Sequence, residues 1–195
     1  MTDSAHQEVS RRGLFKVMAA RALQAIQEYN AFFPADRPEQ VIRPPGAQRG
    51  AAFLATCNRC GKCAEACPQG AIFLQRPEEG TAVGAPYLEP ARTACSYCLR
   101  CNQVCPTGAL KMEAARESRI GTAYLDQERC LAWQGGMCRA CYDKSAFPGT
   151  CMMLEGLRRP RVNRELCRGC GKCAGHCIQS VPAIRILPPG AVEKE

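Results

Sequence analysis

Sixteen cysteines in a chain of 195 residues fall into four groups of four, with none left over. The groups are Cys57, Cys60, Cys63 and Cys67; Cys95, Cys98, Cys101 and Cys105; Cys130, Cys138, Cys141 and Cys151; and Cys167, Cys170, Cys173 and Cys177. Three of them share the spacing C-x2-C-x2-C-x3-C, as in CNRCGKCAEACP, CSYCLRCNQVCP and CRGCGKCAGHC. Thiolates are soft donors that suit iron–sulfur clusters and zinc alike, so ligand type alone does not choose between them. Spacing does. Structural zinc sites take two separated ligand pairs, whereas a compact run of four is the bacterial 4Fe-4S signature, in which three thiolates hold one cluster and the fourth reaches the other cluster of a pair. Disulfides would require an oxidising compartment and small, loop-rich modules. The expectation is four 4Fe-4S clusters, with all sixteen cysteines as iron ligands.

The third group, CRACYDKSAFPGTC, departs from the pattern: Ser145 stands where the next cysteine is due, and Cys151 follows six residues later. The Pro148-Gly149 turn between them can swing the chain back, and Cys151 would otherwise be the one unassigned cysteine. Thiolate is the softer donor, so Cys151 is the expected ligand. Ser145 as an oxygen ligand and a three-iron cluster lacking a fourth ligand are the alternatives. As a bystander, Ser145 would be a loop hydroxyl bonded to nearby backbone.

The first cysteines of the groups recur just under forty residues apart, so one unit is repeated four times. A short segment such as TAYLDQERC or RPRVNRELC leads into a cysteine run, and an apolar stretch such as AIFL, ALKM, CMML or AIRIL leads out. These predict short strands flanking a cluster loop and a short helix, with glycine and proline turns between. The fold class is therefore α+β: two bacterial-ferredoxin-like dicluster modules over residues 51–190. Groups one and four share Cys-Gly-Lys-Cys-Ala, at 60–64 and 170–174, which points weakly to a common module. Sequential pairing of one with two and three with four is the simpler alternative, and the sequence does not choose.

Formal charge is +8, ordinarily a prompt for nucleic acid. Each oxidised cluster with its four thiolates carries roughly −2, so four of them bring the loaded chain near neutrality and nucleic acid is not expected. Arg59, Lys62, Arg100, Arg139, Arg168 and Lys172, beside the cysteines, read as local compensation and docking contacts, or as solvated loop charges. No nucleotide-binding, zinc-protease or nucleophile-elbow motif is present. No catalytic residue is expected, and the chain reads as an electron carrier.

Residues 1–35 differ in kind. Ser10-Arg11-Arg12-Gly13-Leu14-Phe15-Lys16 is similar to a twin-arginine export signal, but Arg21 and Glu28 interrupt the stretch that should be apolar. Leu14, Met18, Ala22, Ala25 and Tyr29 mark one face of an amphipathic helix instead. The expectation is a retained docking helix on a cytoplasmic protein, with periplasmic twin-arginine export as the alternative. Residues 36–50 read as a proline-rich linker. No run approaches 18 apolar residues, so no transmembrane segment is expected.

Several stretches carry a family resemblance: RPPGAQRGAAFLATCNRCGKCAEACPQGAI, VGAPYLEP, CPTGAL, CLAWQGGMCRACYD and CGKCAGHCIQSVPAIRILP. Over roughly residues 43–188 the chain resembles the ferredoxin-type proteins of periplasmic nitrate reduction and methylamine utilisation, the NapG/MauM type. The resemblance implies four 4Fe-4S clusters passing electrons to or from a larger redox enzyme, commonly a molybdenum or tungsten one. Contacts to a flavin subunit or to a second copy through the N-terminal helix also enter as partners. The sequence departs from that family in its interrupted export signal and in Ser145. A non-redox maturation or interaction protein that uses clusters as scaffolding is the competing function class.

Overall fold

Short apolar runs become strands here wherever a second run faces them. The protein is described by a computed structural model over residue 21, residues 41–79 and residues 82–191. Among the described residues the strands form three antiparallel pairs. β1 (Ile72–Leu74) pairs with β2 (Pro86–Leu88), Ile72 opposite Leu88. β3 (Thr122–Leu125) pairs with β6 (Ile184–Leu187), and β4 (Met152–Glu155) with β5 (Arg159–Val162). An isolated hairpin is marginal in water, so each pair depends on the cysteine loops that cover it.

One plan serves twice. In the second half, β3 and β6 zip the ends of the segment together around the β4–β5 hairpin. In the first half, Ala47 bridges Leu110 at the two ends, around the β1–β2 hairpin. The modules therefore hold groups one with two and three with four. The shared Cys-Gly-Lys-Cys-Ala of groups one and four marks a common loop shape, not a common module.

The runs AIFL, TAYL, RPRV, CMML and AIRIL contain strands as expected. ALKM does not: Leu110 makes a single bridge, after which Met112–Glu117 is helical. MEAARE is rich in good helix formers, which explains the switch.

Residues 41–50, expected as spacer, are packed into the first module. Pro44 and Pro45 are fully buried, and Ile42 accepts the backbone N–H of Leu88 at 2.7 Å. Buried Arg43 donates to the Pro86 carbonyl at 2.9 Å and lies 5.1 Å from the Phe53 ring centre. Buried Asn102 donates to the Pro45 carbonyl at 2.8 Å. The extended shape that proline imposes thus lets this stretch line the edge of the hairpin.

Pro38–Glu195 forms one compact unit, distinct from Met1–Arg37. Its core is made of small residues and cysteines: Phe53, Met152 and Ile184 are its largest fully buried non-proline side chains, and Cys101, Cys141, Cys167 and Cys173 are buried within it. The apolar residues of the expected docking helix, Leu14, Met18, Ala22, Ala25 and Tyr29, lie outside the described residues. Arg21 is helical and exposed. Among the described residues no helix is long and apolar enough to cross a membrane.

Candidate metal centres

Each regular cysteine run folds as a loop that reverses direction twice. Arg59 (φ 59°) and Gly61 (φ 76°) are left-handed in group one, Tyr97 (φ 55°) and Leu99 (φ 59°) in group two, and Gly169 (φ 75°) and Gly171 (φ 87°) in group four. Left-handed backbone costs a non-glycine residue about 1–3 kcal/mol and persists only where the surroundings enforce it. Such alternation turns successive amides toward one concavity, an anion-binding nest. A cluster bearing thiolates is an anion of that kind.

The fourth cysteine of each group crosses to the other loop of its module. Cys57, Cys60 and Cys63 share a cavity with Cys105, which makes the first site. Cys95 and Cys101 each feel the sulfurs of Cys98 and Cys67, which groups those four as the second site, with Cys63 and Cys170 also within electrostatic reach. Cys130, Cys138 and Cys141 line a cavity with Cys177, the third site. Cys167, Cys170 and Cys173 line one with Cys151, the fourth site. This three-plus-one exchange is the ligand arrangement of two-cluster ferredoxins.

The thiols resist ionisation while bare. Burial, reinforced by the Cys57 sulfur beside it, pushes Cys63 up to about 11. Burial and the neighbouring Cys95, Cys63, Cys98 and Cys67 push Cys101 to about 12, and the same causes raise Cys141 to about 11 and Cys173 further still. Cys105 differs: burial raises it, but backbone N–H bonds from Leu110, Thr107 and Ala109 and the Thr107 hydroxyl together bring it below its ordinary value. Backbone amides also reach Cys67 from Ala71 (3.4 Å), Cys167 from Ala123 (3.3 Å) and Cys177 from Ala183 (3.3 Å). Crowded thiols of this kind become thiolates only when a multivalent cationic core replaces their protons. Among the described residues no three His, Cys, Asp or Glu side chains converge closely enough to hold a single metal ion. Three of the four cysteine sets line cavities.

At the irregular fourth site, Ser145 and Cys151 line the same cavity, with Oγ and Sγ 3.7 Å apart. The Ser145 hydroxyl accepts the Phe147 N–H at 3.2 Å, the loop role considered for it from sequence. Of the flanking cations, Arg59, Lys62, Arg100 and Lys172 are exposed. Arg139 is paired with Asp143 at 2.9 Å, and Arg168 is half-buried. Its guanidinium lies 4.0 Å from the Tyr97 ring centre. Neither Tyr97 nor the stacking of Arg168 on it was singled out from sequence, since a tyrosine inside CSYC carries no motif of its own.

Paired cysteine loops packed on short antiparallel strands are the architecture of dicluster ferredoxins, which are iron–sulfur electron-transfer proteins. Residues 56–109 match the family of 4Fe-4S dicluster domains. The chain is 38% identical over 162 residues to the ferredoxin-type protein NapG of Escherichia coli K12, covering 75% of this chain and 70% of that one. It is 35% identical over 164 residues to the methylamine utilization ferredoxin-type protein MauM of Methylophilus methylotrophus, covering 78% and 73%. The corresponding MauM of Methylobacillus flagellatus is 32% identical over 195 residues, covering 91% and 83%. The chain belongs to the NapG/MauM family of ferredoxin-type proteins.

Proposed function

We propose that this chain is a non-catalytic electron-transfer subunit that relays electrons through four 4Fe-4S clusters to or from a molybdenum- or tungsten-type oxidoreductase. The observation that carries the reading is the three-plus-one exchange, which uses all sixteen cysteines in four sites of one kind. Four sites favour a relay over a scaffold, since one cluster suffices to staple a fold. A bound cluster supplies one-electron chemistry at nearly constant geometry. The protein's part is to hold the thiolates, to stabilise their negative charge with the amides of Ala71, Ala123 and Ala183, and to limit water at the buried sulfurs.

Anaerobic iron and sulfide analysis tests the cluster count. About sixteen of each per chain is expected from four cubanes, and zinc in place of iron would overturn the reading. A native pull-down tests the role: a relay subunit co-purifies with a cofactor-bearing enzyme and is reduced by that enzyme's substrate. For location, the interrupted apolar stretch after Arg12 supports a cytoplasmic protein, and the Ser10-Arg11-Arg12 start keeps periplasmic twin-arginine export as the alternative. A mature N-terminus beyond residue 30 in a periplasmic fraction would decide for export.

A further inference from the structure

The second and fourth sites meet where the modules join. The backbone N–H of Cys95 donates to the carbonyl of Cys170 at 2.9 Å, so a residue of each site takes part in one hydrogen bond. Cys95 also lines the cavity of about 220 Å³ that Cys151, Cys167, Cys170 and Cys173 surround. A polar knot closes the joint. The Tyr97 hydroxyl donates to the Arg168 carbonyl at 2.5 Å, and the Ile120 N–H reaches the same carbonyl at 3.2 Å. The Arg168 guanidinium, lying over the Tyr97 ring, donates to the carbonyls of Ala115, Arg116 and Ser118 in the segment that links the modules.

A comparison inside the chain sharpens this. Gly61 and Gly171 occupy the same position in the two Cys-Gly-Lys-Cys loops, with φ of 76° and 87°. A Cβ on Gly61 would meet only Leu74 Cδ1 at 3.6 Å, but one on Gly171 would stand 2.2 Å from the Pro90 carbonyl oxygen. The loop shape is shared. Only in group four is that loop pressed against the other module.

We propose that electrons pass between the modules at this joint, so that the relay runs first, second, fourth, third site and not in sequence order, with Tyr97 and Arg168 as positioning residues that hold the two inner sites together. The proposal rests on the four-cluster reading above. At each hop one electron leaves a reduced site and enters an oxidised neighbour in the same chain; no bond forms or breaks and no proton is required. The Arg168 guanidinium lies over the ring of Tyr97, inside the second cysteine loop, and Arg168 also lines the cavity of the fourth site, so its positive charge would favour the reduced, more negative state there and raise the potentials.

The test uses the full-length, cluster-loaded protein. Redox titration of Arg168→Gln, with each centre assigned by cysteine-to-serine variants, should show the midpoints of the second and fourth sites falling while the first and third stay in place. Arg168→Lys, which keeps the charge, should return the inner midpoints toward their original values. Electron paramagnetic resonance of the fully reduced protein should lose the inter-module spin interaction in Gly171→Ala and keep it in Gly61→Ala, since backbone strain is common to both and the clash is not. Retention of that interaction in Gly171→Ala, or a midpoint shift confined to the first or third site, would overturn the relay order. Zinc in the unaltered protein would overturn the four-cluster reading and the order with it. Iron at about sixteen per chain with unmoved inner midpoints would overturn the order alone.

Discussion

Replacing Cys151 by Ser is the sharpest perturbation available at the irregular site, because the structure separates its ligand role from its structural one. The backbone of the 145–151 loop is held without the sulfur: Cys151 N–H to Phe147 O at 3.1 Å, Gly149 N–H to Met152 O at 2.7 Å and Asn163 N–H to Cys151 O at 2.9 Å. The loop should therefore keep its shape in Cys151→Ser, and the loss should be confined to the corner iron that the thiolate holds. The expected content is about 15 iron atoms per chain against about 16, with a three-iron signal in the oxidised protein. Ser145→Ala should keep all of them and lose only an exposed bond to the Phe147 N–H, worth under about 1 kcal/mol. Ser145 faces the same cavity 3.7 Å from the sulfur, so Ser145→Cys combined with Cys151→Ser should restore the missing iron. Iron analysis and electron paramagnetic resonance read all three variants. Iron loss in Ser145→Ala with none in Cys151→Ser would refute the ligand assignment, and a swap that fails to restore iron would refute the loop geometry.

Three further outcomes are expected. Phe53 is fully buried, carries Arg43 on its ring and lines the first site, so Phe53→Ala should cost about 3–5 kcal/mol; denaturant unfolding should bleach cluster absorbance earlier, beginning with the first module. In the cluster-free chain the buried thiols are raised from 9.0 to about 11 at Cys63 and Cys141, so burial favours their neutral form. That stability is fully present below about pH 9 and is lost as pH rises through about 11, whereas the loaded protein, already holding thiolates, should not share this loss; circular dichroism of both forms from pH 8 to 11.5 checks it. Removing residues 1–35 should leave the iron content intact and weaken capture of the partner enzyme, as follows if they form the docking helix proposed from sequence, each large apolar side chain contributing about 1.5–3 kcal/mol when buried; unchanged capture would refute that proposal.

The sequence was most legible where chemistry constrains spacing. The cysteine runs fold as loops and the short apolar stretches beside them form most of the strands, since thiols that serve one site must stand at fixed chain distances from one another. Module pairing was not legible. Cys-Gly-Lys-Cys records a local backbone path, and what Gly171 touches across space, Pro90 as opposed to open room at Gly61, leaves no trace in the motif. The 41–50 stretch misled for a related reason: RPPG has the composition of a spacer, yet Pro44 and Pro45 are buried because their extended backbone fits a hairpin edge. Tyr97 and Arg168 were missed as a pair, being seventy-one positions apart and joined only by folding.

The exchanged fourth cysteine also limits how such a chain can grow. A single repeat owns four cysteines but completes no site, because one of its four is committed to the loop of its neighbour. The heritable building block is therefore the pair of repeats, and duplication must proceed in steps of two: a copy of one repeat would add three thiols in want of a fourth and one with nowhere to go. On the proposed reading, such a chain gains or loses cluster sites most simply by whole modules.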